Sequence, residues 1–179
     1  MKRKLLAISV ALICGAASLN LEPAIADDSP PPTGQLDRFV GRGTCNGKSL
    51  GHDMKASHDT TGKYSAEKVL GGNWVVIHYD EDRSAAVPKP FHVVQYVGYD
   101  KAKRRYVSVL VDNSGSTYST GTSAGWKGDS ITFDESLAGQ PVAFRDTFTT
   151  GQGMSSHTGA MRVKHGKWAK TDEEHCKST

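Results

Sequence analysis

Gly121-Thr122-Ser123-Ala124-Gly125 has the GxSxG pattern, in which a strand-to-helix turn holds a serine exposed beside backbone N–H donors. Trp126-Lys127-Gly128-Asp129 follows at once. No helix is available to form that elbow, and the stretch reads as a glycine-rich connection between strands. Seven histidines are the other candidate bases and ligands: His52, His58, His78, His92, His157, His165 and His175. Their spacing contains no HxH, HExxH or Cys/His ligand pattern. His52 and His58 share a parity, but six residues of strand separate them by about 20 Å, too far for one ion. A metal site would have to be assembled from separate strands, and none is expected. His157 and His165 share parity with Met161 and Val163, which permits a haem axial ligand without selecting one. The plainer reading makes Met161 and Val163 core and places the histidines at the wetter strand ends. No cofactor is expected.

The better candidates come from strand parity. Trp74, Val76 and His78 fall on one face of their run, and Val75, Ile77 and Tyr79 on the other. If the first set lines an interior, His78 is a polar group in an apolar lumen, able to orient a ligand. Asp146 shares parity with Phe144 and Phe148, which makes it the inward member of the Arg145-Asp146 pair. A buried carboxylate must be paired or bind something charged. The expected lumen residues are Trp74 as wall, His78 as orienting donor or acceptor, Tyr96 as hydroxyl donor and Asp146 as carboxylate acceptor. No catalytic residue is assigned.

These residues must be positioned by a chain of 179 residues, one domain's worth. Met1–Lys4 is basic, Leu5–Ile13 is mostly apolar, and Ala24-Ile25-Ala26 is a small-x-small cleavage site. That is a secretory signal peptide covering residues 1–26. Ser18, Asn20 and Glu22 interrupt it too early for a membrane span, and Ile13 before Cys14 disfavours a lipoprotein. Residues 27–35, with three consecutive prolines, read as a disordered spacer, leaving a domain over 36–179. Cleavage leaves 19 positive and 18 negative charges, a net of +1, with no clustered basic face for nucleic acid. Asp80–Arg83 and Lys101–Arg105 are solvated turns, and no GxxxxGK[ST] or GxGxxG phosphate loop is present. Cleavage also leaves two cysteines, Cys45 and Cys176, which in an oxidising compartment read as a disulfide. The expected location is periplasmic or secreted.

From Gly41 onward the chain divides into strand-like runs between turn residues: Trp74–Tyr79, Phe91–Tyr99, Tyr106–Val111, Thr117–Thr122, Ile131–Phe133, Val142–Phe148, His157–Val163 and Trp168–Thr171. With Cys45 in the first strand, this predicts antiparallel up-and-down topology. No space is left for βαβ crossovers. About ten strands can close on themselves and remove exposed edges. Leu36–Val40 reads as one helical turn plugging an end. First and last strands of a closed meander are neighbours, which brings Cys45 and Cys176 together.

Gly43-Thr44-Cys45-Asn46-Gly47, Leu70-Gly71-Gly72-Asn73-Trp74, Tyr96-x-Gly98-Tyr99-Asp100, Val111-Asp112-Asn113, Phe144–Phe148 and Asp172–Cys176 occur in this order. Together they resemble a bacterial exported family, a domain of unknown function with a lipocalin-like (calycin) β-barrel. The resemblance spans Leu36 to Cys176 and implies a single exported barrel; it brings no catalytic residues. The fold expected is therefore all-β, a single antiparallel up-and-down calycin/lipocalin-like barrel with a short N-terminal helical turn. The function expected is binding of a small, partly apolar molecule in the lumen. An acid–base enzyme using a lumen His/Asp pair and a filled-barrel interaction protein are the alternatives. Neither a nucleic-acid partner nor a membrane span after cleavage is expected.

Overall fold

The computed structural model describes residues 32–50, 57–85, 87–115, 118–138, 143–151, 153–163 and 166–179. The signal peptide, most of the spacer, Cys14, His52 and His165 lie outside them. A 3-10 helix, Pro32–Phe39, precedes β1 (Gly41–Leu50), β2 (Ser57–Val69), β3 (Trp74–Glu81), β4 (His92–Asp100), β5 (Arg105–Asp112) and β6 (Tyr118–Ser123). Then follow β7 (Trp126–Lys127), β8 (Ser130–Leu137), β9 (Ala143–Gly151), β10 (Gly153–Arg162) and β11 (Trp168–Ser178). Each strand pairs antiparallel with its sequence neighbour, except that β6 pairs with β8 while β7 is a two-residue arm on β8. The pairing of β1 with β11 shuts the ring, giving a closed barrel of ten long strands.

Closure sets Cys45 directly opposite Cys176, and the two form a disulfide with Cα atoms 4.0 Å apart. Residues 32–35, expected as spacer, belong to the 3-10 helix. That helix buries Leu36 and Phe39 completely in one end of the barrel. Phe39 packs against Trp126 and edge-on to Phe148, with centroids 5.3 and 5.6 Å away. Arg38 covers the Trp126 ring at 4.2 Å and pairs with Asp129, while Tyr106 donates to the Pro32 carbonyl at 3.1 Å. Two buried aromatic or aliphatic side chains on one helical turn contribute several kcal/mol of apolar burial, at about 1.5–3 kcal/mol each. This end of the barrel is therefore filled.

The 13-residue β2 is a strand that reading for β-branched runs does not find, because its sequence is mostly polar. Its burial nevertheless alternates strictly from Asp59 to Glu67, with Thr60, Gly62, Tyr64 and Ala66 facing inward. On β3, Val75, Ile77, Tyr79 and Glu81 face inward, since Val75 and Ile77 belong to the core cluster. The same parity sets Gln95 and Val97 of β4 and Ser108 of β5 inside.

Candidate functional site

Above the filled end, the inward residues change from apolar to acidic. A cavity of about 180 Å³ opens there, lined by Ile77, Phe91, Val93, Leu110, Phe148 and Met154 on its apolar side. Ser49, Tyr79, Gln95, Asp146, His157, Asp172 and Glu174 line the rest. The register explains the convergence: His157 of β10 is opposite Glu174 of β11 and Phe148 of β9. Asp172 is opposite Gly159. β10 is irregular toward β9 between Met154 and Ser156, and toward β11 between Gly159 and Ala160. His157 thus lies between two bulges, the device that re-aims a side chain within a ladder. Gly159 makes room for Asp172: a Cβ there would stand 2.1 Å from the carboxylate Oδ1.

Three carboxylates surround one imidazole. Nδ1 of His157 is 3.0 Å from Glu174 Oε2 and 3.1 Å from Asp172 Oδ2, and Nε2 is 3.5 Å from Asp146 Oδ1. Asp172 is fixed in turn by the Gly159 N–H at 3.0 Å and the Thr171 hydroxyl at 2.8 Å. Burial works to lower the pKa of His157, but its hydrogen bonds to Asp146, Asp172 and Glu174 outweigh it and raise the pKa well above the ordinary 6.5. Asp172 is lowered: burial opposes the charge, and the bond to His157 more than offsets it. Glu174 is raised, mainly by burial.

Two further acids extend the polar layer. Glu135, 3% exposed, accepts from Ser108 at 2.7 Å and Gln95 at 3.2 Å through Oε1, and from Ser119 through Oε2. Burial first, and the Asp146 charge second, push its pKa up to about 7. Glu81 accepts the Phe91 N–H at 3.0 Å and faces His58 Nε2 at 3.4 Å. Tyr79 is held protonated by burial and by the charges of Glu174 and Glu81. The hydroxyls of Tyr79 and Thr60 stand near each other, yet both are buried without a partner in hydrogen-bonding geometry.

Of the four expected lumen residues, Asp146 alone lines the cavity. Trp74 and His78 lie on the outer face, because Val75, Ile77 and Tyr79 take the inside. The Trp74 ring covers Gly98, where a Cβ would be 2.6 Å from it, and His78 is opposite Val94. Tyr96 is also outside, 40% exposed, between inward Gln95 and Val97. The pair His78 and Asp146 is therefore not brought together, and Asp146 meets His157 instead. Met161 is half-buried opposite Phe144 on the inner face, whereas Val163 is exposed. Both ring nitrogens of His157 are turned to carboxylates, not toward an open plane for haem. Ser123 of the GxSxG stretch ends β6, with its Oγ accepting the Gly125 N–H at 3.2 Å. Missed at the sequence level were Tyr79, Glu81, Glu135, Asp172 and Glu174. Parity with inward Cys176 identifies Asp172 and Glu174, and parity with Phe133 identifies Glu135.

A family model described as "Protein of unknown function (DUF1579)" matches residues 31–176. Among solved structures, the crystal structure of Rv2717c from M. tuberculosis is similar with a TM-score of 0.63 and 16% identity. The match covers 84% of this chain and 98% of that one, a likeness of fold alone. No curated protein matches. These comparisons indicate no cofactor. Among the described residues no helix is long and apolar enough to cross a membrane.

Proposed function

Because the chain belongs to this family of unknown function, we propose from its own lumen that it is an exported binding protein for one small, partly apolar molecule. The observation that carries the reading is the cavity of about 180 Å³ with one apolar and one acidic side. A cavity of about 150 Å³ holds benzene, so this one suits a single substituted ring or a short aliphatic chain. It is smaller than the pockets of about 300–1,000 Å³ that take drug-sized ligands. Asp146, Asp172, Glu174, Glu81 and Glu135 outnumber His157 and His58 around it, which disfavours an anion: burying a further negative charge there is uncompensated. The Cys45–Cys176 disulfide supports an oxidising compartment, periplasmic or extracellular, with residues 1–26 removed as a signal peptide.

Native mass spectrometry of the protein purified from its host, followed by NMR titration with small neutral and cationic aromatics, tests the reading. The expected result is a retained mass, or saturable shifts at Leu110 and Phe148, lost on filling the cavity with Leu110→Trp. A bare-chain mass with no shifts from any probe overturns it. Edman sequencing beginning at Asp27 is the expected sign of export processing; an unprocessed Met1 in the host refutes it.

A further inference from the structure

We propose that His157, Asp172 and Glu174 form a divalent-metal site at the acidic end of the cavity, with His157 ligating through Nδ1 and Asp146 orienting it through Nε2–H. One donor atom from each of the three ligands lies within 4.8 Å of the others. Two ligands about 2.1 Å from an ion stand roughly 3.0 Å apart at an octahedral angle and about 3.4 Å apart at a tetrahedral one. The Nδ1–carboxylate separations of 3.0 and 3.1 Å fit that spacing.

The surroundings fit as well. A ligating histidine almost always gives its other N–H to a carboxylate or carbonyl, fixing the ring, and Asp146 stands at that nitrogen. Asp172 is held by Gly159 and Thr171, as ligating carboxylates commonly are. Charge gives a second reason. Three carboxylates converge on one imidazole in a partly buried place, an arrangement whose acidic groups a cation would offset.

An independent sign comes from the hydroxyls. Thr60 is 4% exposed and its Oγ1 has no partner. It faces inward on the same cross-strand row as Glu174, with only the side-chain-free Gly47 between them. The Tyr79 hydroxyl, on the cavity wall, is equally unpartnered. A water molecule on an ion at this wall would give the Tyr79 hydroxyl a partner besides the facing Thr60 Oγ1. One imidazole with two carboxylates suits Mn²⁺, Fe²⁺ or Zn²⁺ better than the all-oxygen preference of Mg²⁺ or Ca²⁺. Binding exchanges the proton on Nδ1 for the ion, so a proton leaves as the metal enters.

This inference deepens the lumen reading and rests on the cavity being accessible. The test uses the disulfide-bonded protein stripped with chelator, titrated with Mn²⁺ by electron paramagnetic resonance and with Zn²⁺ by calorimetry in two buffers. Expected are one equivalent bound, about one proton released, and a rise in melting temperature. Asp172→Asn and Glu174→Gln each weaken binding tenfold or more, and Asp146→Asn weakens it about 10–100-fold. His92→Gln, on the outer surface beside Asp80, leaves it unchanged. Circular dichroism verifies that each variant folds; should Asp172→Asn not fold, Glu174→Gln and Asp146→Asn decide. Absence of stoichiometric binding, or equal binding by folded Glu174→Gln, overturns the site. If metal binding fails while Leu110-dependent binding of aromatics persists, the metal site alone falls. If both fail, the lumen reading falls with it.

Discussion

Replacing Glu135 by Gln isolates the cost of the buried acid in the middle of the barrel. The native carboxyl titrates at about 7 against an ordinary 4.5. Its folded-state pKa is raised, so its contribution to stability is complete below pH 4.5 and is lost as pH rises through about 7. At about 1.4 kcal/mol per pH unit, the interval amounts to about 3 kcal/mol. The side chain is 3% exposed, so solvent screening takes little from this. Glutamine mimics the protonated acid: its carbonyl accepts from Gln95 and Ser108, and its amide donates toward Ser119. Urea unfolding of both proteins at pH 5 and pH 8 is the assay. Near pH 5 the two are expected to be close in stability; at pH 8 the variant is expected to be more stable by up to about 3 kcal/mol. Parallel pH profiles for the two proteins would refute the argument that burial and Asp146 penalise the Glu135 charge.

Three other outcomes follow from the same packing. Reduction of the Cys45–Cys176 bond, which closes 131 residues, is expected to cost about 5 kcal/mol in the chain-entropy model, measured by urea unfolding with and without reductant. Gly98→Ala drives a methyl into the Trp74 ring. It should destabilise by about 1–3 kcal/mol and shift tryptophan fluorescence; a neutral change would mean that Trp74 does not rest on β4. In the metal-free protein, the His157 imidazole protons should titrate well above pH 6.5 by NMR. The stability that the His157 shift contributes is full below 6.5 and lost as pH rises through its folded pKa, whereas the Asp172 contribution is lost as pH falls through its lowered one. A midpoint at or below 6.5 contradicts the clustered geometry.

The outer wall explains why the lumen was only partly legible. On β3, both parities are apolar or aromatic, because Trp74 and Val76 pack on the outside against Gly98 and Tyr96. Alternation assigns residues to two sets but not to inside or outside when both sets are apolar. On β9 the two parities differ, with Phe144, Asp146 and Phe148 against Arg145 and Thr147, and there Asp146 was readable. The polar β2 is hidden for the converse reason: of its inward residues Thr60, Gly62, Tyr64 and Ala66, the first two send no hydrophobic signal, and its outer face is wholly polar over that stretch.

The sequence by itself determined the all-β class, the closed meander, the terminal plug of Leu36 and Phe39, and the Cys45–Cys176 pairing. Each depends on local turn chemistry, residue type or the proximity of first and last strands. The cluster at His157 is different in kind. Asp146 of β9 lies 11 positions before His157 of β10, which lies 15 before Asp172 of β11; strand parity links Asp172 to Glu174, but no spacing rule links the three strands' members. Register across three strands, two bulges beside His157 and the absence of a side chain at Gly159 bring them together. Those are consequences of ring closure and packing, which fix non-local neighbours only once the whole barrel has formed.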